Sequence, residues 1–167
     1  MEWLTTLRRS GGINALSRHL GVSPAEVSAA TIALLPVILA GLRQLIDRLG
    51  GDDAGPAALI DTLAELGGAD LAAAVMGPEP LDVGLGRRIV EVVIGPDVAR
   101  RAVLIEAERT AGLDKALAER VLPALAMLIG GYISALAVGS GAEGSGGLGH
   151  LRETLTFETG AADEDRI

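Results

Sequence analysis

The clearest pattern along the chain is an apolar run entered through a polar corner, and it occurs twice. The first spans Gly21 to Leu42, GVSPAEVSAATIALLPVILAGL, and carries no charge after Glu26. The second and weaker one spans Gly112 to Tyr132, GLDKALAERVLPALAMLIGGY. Each opens on a glycine, starts a helix, and steps through a leucine–proline pair, Leu34-Leu35-Pro36 in the first and Val121-Leu122-Pro123 in the second. The first copy has four more residues between its glycine and its proline, about one helical turn. This layout predicts two weakly similar helix–corner–helix halves.

Local signals supply the joints. Gly21 permits a left-handed corner. Ser23 reads as an N-cap, Pro24 as the first helical residue, and Glu26 as the third member of a capping box. Asp114 is the corresponding cap in the second half. Pro36 and Pro123 interrupt their runs, and a kink or break is expected at Pro36. Upstream, Glu2 to Arg9 predicts a short helix with Trp3, Leu4 and Leu7 on one side, broken by Ser10-Gly11-Gly12. Ile13, Leu16 and Leu20 then fall at helical spacing.

Between the two halves, Gly50-Gly51-Asp52-Asp53-Ala54-Gly55 reads as a linker, with Pro56 opening a helix that ends at Gly67-Gly68. Asp70 is placed to cap a short helix from Leu71 to Met76, and Gly77-Pro78-Glu79-Pro80 forms a stiff connector. Leu85, Ile89, Val92 and Val93 mark a helix that stops near Gly95. Pro96-Asp97 opens a longer helix, with Val98, Val103 and Ile105 expected to point inward, ending at Gly112. Beyond Val138 the glycine-rich sequence predicts a flexible segment. Within it, Leu151 to Thr159 has the faint alternation of an edge strand, and Gly160 to Ile167 is small and acidic.

Composition narrows the fold class. Hydrophobic residues make up 49% of the chain but aromatics only 2%, so the core must be assembled from Ala, Leu, Val and Ile. Small side chains of this kind suit close helix–helix packing better than a β-sandwich. A length of 167 residues is enough for one domain with a substantial core. The expected architecture is a single all-α bundle over residues 1–138, with a glycine-rich, acidic tail over 139–167. The formal net charge of −8 opposes general attraction to nucleic acid or anionic bilayers. With no cysteine, disulfides and thiolate metal sites are excluded. The first residues lack the pattern of a secretory signal, since Met1-Glu2-Trp3 starts acidic and Arg8-Arg9 leads into Ser10-Gly11-Gly12. A cytoplasmic location is the expectation, with membrane association as the alternative.

The order of motifs resembles the bacterial YidB-like family, a domain of unknown function. The matching pieces are Gly11-Gly12-Ile13, Ser17-Arg18-His19-Leu20-Gly21-Val22-Ser23 and Ala33-Leu34-Leu35-Pro36 in the first half. In the second they are Gly86 through Gly95, Asp97-Val98, Thr110-Ala111-Gly112-Leu113-Asp114 and Leu122-Pro123-Ala124-Leu125-Ala126. The likeness covers most of residues 11 to 137. Where the family pattern has Gly-Asn and Phe-Gly around the second block, this chain has Gly86-Arg87 and Ile94-Gly95, differences that bear on packing and capping. The resemblance implies a helical fold and no activity, substrate or cofactor.

Four function classes can be weighed on the residues. A helix-turn-helix over residues 13 to 30 has the right apolar positions at Leu16, Leu20, Val22, Val27 and Ala30. Its exposed positions, Ser23, Pro24, Ala25, Ser28 and Ala29, offer no Arg, Lys, Asn or Gln to base edges. A membrane span from Val121 to Ala142 is long enough and uncharged, but it contains Pro123 and Gly130-Gly131 and has no basic cluster on either flank. As a buried helix, the same stretch would use Gly130-Gly131 for close approach, and Tyr132 would need a polar partner or the surface. An enzyme is hard to assemble, because His19 and His150 have no acidic or cysteine partner at ligand spacing and no serine sits in a nucleophile elbow. Asp61 and Glu65 read as a solvated helix face. Arg8-Arg9, Arg87-Arg88 and Arg100-Arg101 could converge on an anion, although separate surface charges describe them as well. No catalytic, cofactor-binding or metal-ligating residue is assigned. The favoured reading is a non-catalytic protein that works through protein–protein contacts or self-association.

Overall fold

The computed structural model describes residues 3–139, and every one of its regular elements is a helix. In order they are α1 (Trp3–Arg9), α2 (Gly12–Leu20), α3 (Pro24–Leu49), α4 (Gly51–Leu66), α5 (Asp70–Met76), α6 (Val83–Val93), α7 (Asp97–Ala111) and α8 (Lys115–Gly139). The all-α expectation therefore holds. The expectations for the tail, including the strand over Leu151–Thr159 and His150, fall outside the described residues.

α8 is the axis of the bundle. It packs against α2, α3, α4, α5, α6 and α7, and every residue from Val121 to Gly131 is buried. A helix apolar on all sides satisfies that demand only when neighbours surround it. Close approach comes from residues without side chains. A Cβ added to Gly131 would lie 2.5 Å from the Ala72 Cβ of α5, and one added to Gly86 of α6 would lie 2.9 Å from the Pro123 carbonyl oxygen. Gly131 thus bears out the expected role of the Gly130-Gly131 pair. Tyr132 finds its polar partner in the Ser10 hydroxyl at the α1–α2 turn.

The two corners form as the sequence predicts. Gly21 and Gly112 both adopt the left-handed conformation, with φ of 67° and 64°. Ser23 and Glu26 close a complete capping box: the Glu26 N–H donates to Ser23 Oγ (3.2 Å) and the Ser23 N–H to Glu26 Oε2 (3.0 Å). Asp114 Oδ2 accepts from the Leu117 N–H at 3.3 Å.

Four expectations need correction. Of the kink or break expected at Pro36, the break does not occur: α3 runs through the proline for 26 residues. An interior proline costs about 3 kcal/mol or more, but Leu34, Leu35, Ile38 and Leu39 on either side of it are fully buried. Each is worth about 1.5–3 kcal/mol of burial, which together offsets that cost and lets the helix continue through the proline. Second, Gly50–Gly55 is not a linker. α4 begins at Gly51 and already contains Pro56, and the chain turns from α3 to α4 at Gly50 and Gly51, whose φ angles are 140° and 72°. Gly55 and Pro56 are buried, because a Cβ at Gly55 would lie 2.7 Å from Ile46 Cγ2 of α3.

Third, Asp70 lies inside the first turn of α5 and the N-cap is Ala69, which makes no side-chain cap. The side-chain cap that forms in this region is Asp82, which accepts from the Leu85 N–H at 3.1 Å to start α6. Fourth, Val98 and Ile105 of α7 point outward, 77% and 55% exposed. α7 is anchored instead by Leu104 and Ala107, with Val103 partly buried against the core.

Candidate functional site

Two regions of the surface carry the side chains that could act on something outside the fold: a charged cleft beside the α6–α7 turn and the outer face of α7. A third group, the polar residues around the first glycine corner, is engaged in holding helix ends.

At that corner the last turn of α2 meets the end of α5. His19 Nε2–H points at the carbonyls of Val75 (2.7 Å) and Gly77 (3.0 Å), and an Arg18 guanidinium N–H donates to the Met76 carbonyl at 3.1 Å. The final carbonyls of a helix lack intrahelical donors and sit at the negative end of its dipole, so basic side chains suit them. Arg120 of α8 donates in the same way to the Leu20 carbonyl at the end of α2. His19 thus serves the packing of α2 on α5. At the α2–Gly21–α3 corner the solvent-facing start of α3 consists of Ser23, Pro24, Ala25, Glu26 and Ala29.

The cleft has a volume of about 450 Å³ and is lined by Arg87, Val90, Glu91, Gly95, Asp97, Arg100 and Glu119. α6 brings Arg87 and Glu91, the first turn of α7 brings Asp97 and Arg100, and α8 brings Glu119. One member of each of two arginine pairs therefore meets here, whereas Arg88 and Arg101 are exposed outside it and Arg8-Arg9 lie at the end of α1. Three carboxylates accompany the two guanidiniums, and Arg100 is already paired with Asp97 at 3.6 Å. The arrangement gives no concentrated positive field of the kind that binds phosphate, and its lining includes no histidine, hydroxyl or thiol. Among the described residues, no group of His, Cys, Asp and Glu has the proximity to hold a metal ion.

The outer face of α7 is of another kind. At 3.6 residues per turn, Val98, Ala102, Ile105 and Arg109 lie along one line, directly opposite the Leu104–Ala107 side that meets the core. All four are exposed. Arg101 and Glu108 run along one flank of this line. Glu106 runs along the other, with both its carboxylate oxygens held by Arg109 at 2.8 and 2.9 Å. Sequence reading missed this face because Val98 and Ile105 were assigned to the core. The available signal was the count of charges: six of the residues from Asp97 to Arg109 are ionised, too many for a helix covered on two sides.

No curated protein and no solved structure matches the chain. A family model described as "Bacterial protein of unknown function (DUF937)" matches residues 4–135, from α1 to the last turns of α8, so the chain belongs to this family, in agreement with its YidB-like sequence motifs.

Proposed function

We propose that this domain is a non-catalytic protein that acts through protein–protein contacts, with α7 as the contacting element. One observation carries the reading. α7 has apolar residues on two opposite faces, one packed on the bundle through Leu104 and Ala107, the other exposing Val98 and Ile105. A helix on the surface of a monomer ordinarily shows water a polar face, and aligned exposed apolar residues mark surfaces of association. Affinity capture from the native cell tests this directly. The wild-type domain recovers a partner, or a second copy of itself, and a Val98→Ser/Ile105→Ser variant of equal stability does not. Recovery unchanged by the double substitution would move the contact elsewhere, and a strict monomer with no recovered partner would defeat the reading.

We further propose a cytoplasmic location. α3 and α8 are both long and apolar enough to cross a bilayer, but 72% of the relevant window of α8 and 50% of that of α3 are buried within the bundle. Leaving the bundle would expose the core of the other helices. On fractionation the protein is expected in the soluble fraction; retention in membranes after salt and carbonate washing would reverse this. The start of α3 offers no Arg, Lys, Asn or Gln to base edges, so no salt-sensitive mobility shift with duplex DNA is expected.

A further inference from the structure

The outer face of α7 has a symmetry that its apolar residues alone do not require. Arg101 and Glu108 lie on the same flank, seven residues and close to two turns apart, and carry opposite charges. Both are exposed, and neither holds an ion pair among the described residues. In an antiparallel pair related by a two-fold axis, the same flank of each helix faces the other and residue order runs in reverse. Arg101 of one copy then opposes Glu108 of the second, and Glu108 opposes Arg101. The same register sets Ala102 against Ile105 in both directions and lays Val98 along the aliphatic stem of Arg109. Ala102 near the centre lets the two backbones approach. A parallel pair would instead set the Arg101 flank against the Glu106 flank, whose carboxylate is already held by Arg109.

We infer that the occupant of this face is a second copy of the same chain, docked α7 on α7 in antiparallel fashion about a two-fold axis. The inference rests on the proposed role in protein contacts and names the surface and the partner. Charge pairing selects this occupant over a bilayer, because Asp97, Glu106 and Glu108 offset Arg100, Arg101 and Arg109 and leave α7 with no net positive charge for anionic lipid. One helix face offers only a few hundred Å², below the roughly 800 Å² per partner of a standard interface. The dimer is accordingly weak and reversible, with a dissociation constant in the micromolar range or above.

Sedimentation equilibrium of the full chain, up to about 1 mM, tests this. A reversible monomer–dimer equilibrium is expected. Either Arg101→Glu or Glu108→Arg places like charges together twice in the dimer and should weaken association about tenfold, while the double variant Arg101→Glu/Glu108→Arg should return it to within about threefold of wild type. These positions are exposed, and circular dichroism with thermal melting verifies that each variant is folded. Cross-linking fixes the orientation, since the chain has no cysteine of its own. Ala102→Cys, near the axis, should couple efficiently to itself through a short bis-maleimide, and Ala25→Cys at the start of α3 should not. A dimer indifferent to the charge reversals, or one that the double variant fails to restore, overturns the α7 pairing and leaves the proposed contact function standing. A wild-type monomer at every concentration overturns the pairing too. In that case captured partners decide the broader reading separately: a recovered foreign protein upholds it, and none defeats it.

Discussion

α7 and α8 are joined by only three residues, Gly112 to Asp114, yet their relations to the bundle are opposite. From Val121 onward α8 has no charge and touches six other helices; α7 carries six ionised residues between Asp97 and Arg109 and touches the core along one stripe. Both contain Val, Ile, Leu and Ala in number. The difference lies in the placement of charge. An unbroken apolar cylinder has no side that tolerates water, so the other helices must enclose it, whereas a helix with charge on both flanks can bury one stripe at most. The enclosed helix organises the fold, and the other is left to present a surface.

The strongest way to break this contrast is to widen α8 where it is tightest. Gly131→Leu would drive a side chain into Ala72 of α5 and is expected to cost more than about 3 kcal/mol, read as a collapse of the melting transition. Next, Leu104→Ala removes the principal anchor of α7 and should cost about 2–3 kcal/mol. The loss should be local: amide exchange should rise across 97–111 while α8 stays protected, and a uniform rise would mean that α7 is as integral as α8. Asp114→Ala removes the cap at the junction and should cost about 1 kcal/mol, measured by urea denaturation. Smallest of all, Val98→Ser or Ile105→Ser should shift monomer stability by less than about 0.5 kcal/mol, measured in dilute solution where association is absent. A larger loss at either position would show that the outer face of α7 is covered within the monomer.

Much of the fold was legible in local chemistry. The capping box of Ser23 and Glu26, the left-handed glycines and the helical spacing of Leu85, Ile89 and Val93 act over a few residues, so sequence alone expresses them. The misreadings share a cause. Gly50–Gly55 looked like a linker because glycine and aspartate disfavour an isolated helix, but Gly55 is needed where α4 crosses α3. Pro36 looked like a kink or a break because its local cost is real; the helix is not broken there, and the burial that offsets the cost comes from helices distant in sequence. Val98 and Ile105 looked like core because hydrophobic identity says nothing about which of two faces has a neighbour.

The candidate surface was the least legible part. The arginine pairs were visible as a pattern, but only packing shows that Arg87 and Arg100 share a cleft with three carboxylates while Arg101 stands apart on the outer face of α7. The sequence by itself determined the all-α class, the membership of a bacterial family, the corners at Gly21 and Gly112, and the need to enclose residues 121 to 131. The family membership rests on the order and spacing of the motifs; the others follow from composition and from interactions between near neighbours. Tertiary structure alone decided that a glycine–aspartate stretch would be helix, that Pro36 would be spanned, and that α7 would turn Val98 and Ile105 to solvent. Each of these depends on which surface lies across from a residue, a quantity fixed by the packing of distant segments.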